Sequence, residues 1–136
     1  MWPKTFAERL ASWSTLRRQC ETLDTESALS TINAWWFNTP WTPYHLHWDD
    51  QPNWPDPWQL LSDNLFCDLA RGLGILYTVS MLEHKDLVSY ELILAEDGRN
   101  LVLVNKSKYT LNWEGSVLVN TPLVGKAKRR FINANI

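Results

Sequence analysis

Apolar and polar positions along the chain change their rhythm part-way. From residue 4 to residue 20 the apolar side chains Phe6, Leu10, Trp13, Leu16 and Cys20 recur every three or four positions, the spacing of one helical stripe. Thr5 and Glu8 stand before that stripe as a capping box. Asp24 or Thr25 opens a second helical segment carrying Ala28, Leu29, Ile32 and Trp35 or Trp36, and Pro40 ends it, because the residue before a proline is driven out of the helical region. Asp56-Pro57 then supplies an N-cap followed by proline in the first turn. The pattern predicts a third helix from Pro57 to about Gly72, with Trp58, Leu61, Leu65 and Leu69 on one face and Gly72 and Gly74 at its end. From Ile75 the period falls to two. The runs ILYTVSM, LVSYELILAE, NLVLVN, KYTLNW and SVLVN read as short strands, with Asp97-Gly98 as a tight hairpin and Gly115 as another turn.

These elements predict an α+β domain: three N-terminal helices and a Trp/Pro-rich crossing, packed on a C-terminal antiparallel sheet of about five strands. The expected limits are a single domain over 1–124, with a helical half at 1–74 and a sheet half at 75–124. A basic tail follows at 125–136. Lys126, Lys128, Arg129 and Arg130 fall within five residues of that tail, followed by Phe131, and the expectation is a tail that docks on a partner.

Composition sharpens this picture in one respect. The 136 residues are ordinary in apolar (45%) and charged (21%) content, and a chain of this length buries enough surface for one core. A net charge of −2 gives no reason to expect nucleic acid. Two cysteines, Cys20 and Cys67, make no disulfide framework and fit a reducing compartment. No apolar run predicts a signal peptide or a membrane span. Tryptophan is the outlier, with nine in the chain and six of them between residues 33 and 58. A flexible linker would not carry so many large apolar rings, so the segment 38–57, with five prolines, reads as an ordered, mostly extended crossing. Nine are also more than one small core uses, and Trp is enriched at interface hot spots. Trp35, Trp36, Trp41, Trp48 and Trp54, together with Lys128, Arg129, Arg130 and Phe131, are therefore the expected protein-interface residues. Trp41, Trp48 and Trp54 could instead form a stacking platform for a sugar or peptidoglycan.

Candidate chemistry is sparse. His45, His47 and Asp49 alternate and would share one face of an extended segment, a ligand type suited to zinc or iron. No further cluster completes that set, and no cofactor is expected. Cys67, placed by the pattern well inside the third helix, reads first as a small core residue.

The order of a helix with Cys67, LARGLGI, a strand and then YELILAEDGRNLVLVN resembles the core of transglutaminase-like and papain-like cysteine hydrolases over about residues 58–112. That resemblance implies a nucleophile at Cys67 with a histidine and an aspartate on later strands. Here Ser89 and Tyr90 stand where the histidine would be, the nearest histidine is His84, and Asn105-Lys106 replaces the aspartate. A triad is missing, and the enzyme alternative rests on Cys67 and His84 alone. The run WPDPWQLLSDNLFCDLARGLGILYTV with the later KYTLNW also resembles small structural proteins of tailed bacteriophages. That resemblance implies a non-catalytic neck, tail or baseplate subunit, assembled in the host cytoplasm into a virion, with other protein subunits in multiple copies as partners.

Overall fold

A computed structural model describes residues 2–43, 45–122 and 125–131. Among them the chain forms α1 (Phe6–Glu21), α2 (Thr25–Phe37), a 3-10 helix (Trp48–Asn53), α3 (Pro57–Asp63) and α4 (Asp68–Met81). Five strands follow: β1 (Tyr90–Leu94), β2 (Asn100–Val104), β3 (Tyr109–Trp113), β4 (Ser116–Val119) and β5 (Arg129–Phe131). The α+β architecture and its order are those the pattern predicts.

The helix starts follow their capping signals. The Thr5 side chain accepts a bond from the Glu8 amide, Asp24 does the same for Ser27, and Asp56 with Gln59 forms a reciprocal capping box ahead of Pro57. Beyond Pro57 the predicted single helix is two. Asn64 adopts a left-handed conformation with φ 57°, which asparagine tolerates better than most residues. The chain then runs extended through Phe66, which bridges in parallel to Trp41, and restarts at Asp68 as α4.

That second helix overturns the expectation for ILYTVSM. Instead of opening the sheet, these residues complete α4, and Gly72 and Gly74 lie inside it rather than ending it. Both glycines lie at close approaches, and at Gly74 packing requires the residue. A Cβ at Gly74 would overlap the ring of Trp36 from α2, and one at Gly72 would meet Leu92 Cδ1 of β1 at 2.8 Å. α4 is buried along nearly its whole length and is the central spoke of the core.

The sheet runs in the order β4-β3-β2-β1-β5, antiparallel throughout. Asp97-Gly98 closes the β1–β2 hairpin as predicted, with Gly98 at φ 89° and the Ala95 amide bonded to the Arg99 carbonyl at 2.9 Å. Alternation sends Leu92, Val102, Val104 and Leu111 toward the helices, where they join Trp13, Ile32, Trp36, Phe66 and Leu76 in the main core. Ile93, Ala95, Leu101 and Leu103 face the other way and form a second buried cluster, against which Trp113 and Ala127 pack.

β5 lies in the segment expected to leave the domain. Arg129, Arg130 and Phe131 pair with Leu94, Ile93 and Leu92 of β1, so this part of the basic tail is the domain's own edge strand. The count of five strands holds because the strand lost at ILYTVSM is replaced by this one.

Candidate protein-binding surface

Most of the tryptophans are internal. Trp36 is fully buried, and its Nε1–H and that of Trp13 both donate to Thr78 Oγ1 of α4, at 2.9 and 3.0 Å. Trp35 is half-buried and donates to Ser12 Oγ at 3.0 Å. Its ring meets Trp36 and Trp2 edge-on, with centroids 4.9 and 4.8 Å apart. Trp2 donates to Asn64 Oδ1 and meets Phe66 at 5.7 Å. Trp2, Trp35, Trp36 and Phe66 thus form a continuous aromatic block at the break between α3 and α4. Edge-to-face pairs of this kind contribute about 0.5–1.5 kcal/mol each beyond area burial.

The crossing is pinned just as firmly. Trp48 donates to Asn100 Oδ1 at 2.7 Å, Trp54 to the His47 carbonyl at 2.8 Å, and Tyr77 Oη to the Pro55 carbonyl at 2.8 Å. Trp48 and Trp54 meet edge-on at 79° and Trp54 packs on Phe131 of β5. Trp36 therefore serves the domain's own packing, which corrects its expected place in an interface, while Trp35, Trp48 and Trp54 are half-buried and spend their indole N–H groups on internal acceptors. Nor do Trp41, Trp48 and Trp54 make a coplanar platform of the kind a sugar ring stacks on.

Asn100 belongs to a polar network inside the seam. The Asp68 carboxylate accepts from the Asn100 amide and from its Nδ2, at 3.0 and 2.8 Å. Asn112, held at φ 66°, donates from Nδ2 to the Asn100 carbonyl at 2.7 Å, and its amide donates to Asn33 Oδ1 of α2 at 2.7 Å. One network so ties α2, α4, β2, β3 and the crossing. Only the Asn33 Nδ2 group within it has no partner.

Trp41 is the exception among the expected tryptophans, 59% exposed. The chain places it by pairing with Phe66, and the Thr42 amide bonds to the Phe66 carbonyl at 2.9 Å. Two further apolar side chains are exposed: Leu65, next to Phe66, and Phe37, the last residue of α2, whose ring lies against Gly115. Arg71 of α4 lies 5.2 Å from the Phe37 ring and is fixed by bonds to Thr39 Oγ1 and the Thr39 carbonyl at 2.9 and 2.7 Å. Partial burial pulls its guanidinium below the usual arginine range, while the nearby Asp68 carboxylate works in the opposite direction. Leu65 was not legible as a surface residue, since it sits in an apolar position of helical periodicity. Trp58, at the start of α3, is exposed as well and meets Trp13 edge-on.

The candidate catalytic residues are not brought together. Cys67 is the N-cap of α4 rather than a residue of a helix interior, and it is 3% exposed. His84 follows the other end of the same helix, where its Nε2 contacts the Leu23 carbonyl at 3.0 Å. The 14 residues of α4 span about 21 Å, so this imidazole cannot act as base for that thiol. With ILYTVSM helical, the strand that should follow the cysteine helix in the hydrolase resemblance is absent too. His45, His47 and Asp49 also separate. Residues 48–53 are helical rather than extended, Asp49 pairs with Arg129 at 2.6 Å, and no group of three His, Cys, Asp or Glu among the described residues is close enough to hold a metal ion. Of the basic residues, Arg130 pairs with Glu91 at 2.6 Å while Lys126 and Lys128 are exposed.

No protein-family model, no curated protein and no solved structure matches the chain. No helix of the described residues is long and apolar enough to cross a membrane.

Proposed function

We propose that this chain is a non-catalytic assembly subunit that works by packing against other protein chains. The observation that carries the reading is Trp41, an indole more than half exposed on a backbone fixed by its bridge to Phe66. Leaving such a ring in water forgoes roughly 1.5–3 kcal/mol that burial would return. Phe37 and Leu65 are exposed as well, Arg71 is fixed beside the Phe37 ring, and tryptophan and arginine are enriched at interface hot spots. The bridge to Phe66 ties Trp41 to the aromatic block, so little backbone entropy is lost when a partner covers it. The setting implied by the sequence resemblance is a tailed-bacteriophage virion, with this chain as a neck, tail or baseplate component built into the particle in the host cytoplasm.

A photoreactive benzoylphenylalanine in place of Phe37, with a second protein carrying it in place of Leu65, tests the surface in the native particle. Irradiation should give covalent adducts with another protein chain from both positions and none from the same group at exposed Glu26. A particle that yields no protein adduct from either position would overturn the reading.

A further inference from the structure

Among the described residues, every arginine but Arg17 donates a hydrogen bond or joins an ion pair. Arg17, on α1, does neither. Its guanidinium lies over the ring of Trp13, 4.2 Å from the centroid, and its Nε–H is shut off from water with no partner. Burial pulls its pKa below the usual arginine range. Glu21, one turn further on, opposes that pull through space without pairing, and neighbouring Arg18 adds to it. A partly desolvated cation without an acceptor is unfavourable, and a carboxylate that covers it relieves the cost.

The same Trp13 ring meets Trp58 of α3 edge-on, with centroids 6.0 Å apart. Trp13 is fully buried, whereas Trp58 is 47% exposed. An unpaired guanidinium and an exposed indole thus share one buried support. From this pairing, and resting on the assembly role proposed above, we infer that Arg17 and Trp58 form a second contact site, which receives an acidic side chain of a partner protein. The guanidinium presents its donors as a rigid fork that matches a carboxylate, and Trp58 covers an apolar side chain on the same partner segment. Side chains two positions apart on an extended segment share a face about 7 Å apart, which suits two anchors held around a single ring. Charge selects the occupant: a neutral or basic segment leaves the guanidinium as it stands.

A library of random twelve-residue peptides, selected by mRNA display on the whole chain, tests this. Recovered peptides should carry Asp or Glu with an aromatic or aliphatic residue two positions away. Their Kd should rise at least tenfold for Arg17→Gln and at least threefold for Trp58→Ala, and it should rise with added NaCl. Arg17→Lys, which keeps the charge but not the fork, should weaken binding at least threefold and serves as the second variant should Arg17→Gln fail to fold. Replacing the peptide's acidic residue by its amide should cost as much as Arg17→Gln, and the two changes together no more than either alone. Recovery of no peptide that depends on Arg17, or of peptides without Asp or Glu, would overturn the inference. Displacement of the peptide by an equal concentration of inorganic phosphate would overturn it too, since the site would then take any anion. Such a failure leaves the Phe37 and Leu65 adducts, and the assembly role they test, untouched. Loss of those adducts while acidic peptides still bind through Arg17 would remove the role and not the site.

Discussion

Trp36 occupies the space that a side chain at position 74 would need. The ring of this fully buried indole lies so close to Gly74 that a built Cβ would overlap its six-membered ring. α2 and α4 can approach as they do only because the residue is glycine.

The consequence for substitution has two opposing parts. Alanine is favoured over glycine inside a helix by about 1 kcal/mol, but overpacking a rigid, buried site costs about 1–3 kcal/mol or more. Gly74→Ala should therefore be a net destabilisation of up to about 2 kcal/mol in urea unfolding. Gly72→Ala provides the contrast, since its new methyl meets the movable end of Leu92. A shift of that leucine rotamer relieves the clash, and the change should lie within about 1 kcal/mol of neutral.

The same pair of helices is tied by a single hydroxyl. Thr78 Oγ1 accepts from both Trp13 and Trp36 and donates to the Gly74 carbonyl at 2.7 Å. Thr78→Val keeps the shape and strands two buried indole N–H groups, each costing about 1–3 kcal/mol. A loss of about 2–4 kcal/mol is expected, with Thr78→Ser retaining most of the stability. Trp13→Phe in the Thr78→Val background should cost less than in the unmodified protein, because one stranded donor is then gone.

What the sequence disclosed and what it hid divide along physical lines. Local signals were sufficient wherever a side chain caps its own helix or a dipeptide sets its own turn, as at Thr5, Asp24, Asp56 and Asp97-Gly98. They failed where a distant partner decides. Gly72 and Gly74 read as a helix end, but Leu92 and Trp36 make them packing positions inside α4. The run ILYTVSM alternates like a strand, yet every residue from Ile75 to Val79 is buried, and a helix surrounded by core needs no polar face. The break at Asn64 was hidden because Leu61, Leu65 and Leu69 keep helical spacing across it. At the surface, periodicity marked Leu65 as core although it points outward. Of the expected interface tryptophans only Trp41 is largely exposed, since counting rings cannot tell an indole that finds an internal acceptor from one that does not.

Stability should fall in alkali for a reason visible in the core. Burial pushes the Cys20 thiol up to about 11, and burial followed by the nearby Asp56 charge pushes the Tyr77 phenol up to about 12. Both acids are held neutral by the fold, while the unfolded chain ionises them near pH 9 and 10. The unfolded state then binds fewer protons, so the stability is intact below pH 9 and is lost as pH rises toward 11–12. A loss on the order of 2 kcal/mol per group is expected. Urea midpoints measured between pH 8 and 11 should fall, and Cys20→Ala, although less stable throughout, should show a flatter decline over pH 9–11.

The edge strand β5 should be the first part of the sheet to open. It has three residues and one neighbouring strand, and its Arg129–Asp49 and Arg130–Glu91 pairs are largely solvent-exposed on at least one side. Exposed pairs of this type contribute about 0–1 kcal/mol, so Asp49→Asn should change stability by less than about 0.5 kcal/mol. Phe131 is different, because its ring meets Trp54 at 5.2 Å and joins the main core. Phe131→Ala should speed hydrogen exchange of the β5 amides and of the Lys128 amide, which bonds to the Leu94 carbonyl at 2.7 Å, at least tenfold. Amides in α4 should keep their protection, since that helix is held by α2, α3 and strands β1, β2 and β3. Equal acceleration in both elements would mean that the edge strand and the core open as one unit, contrary to the arrangement described.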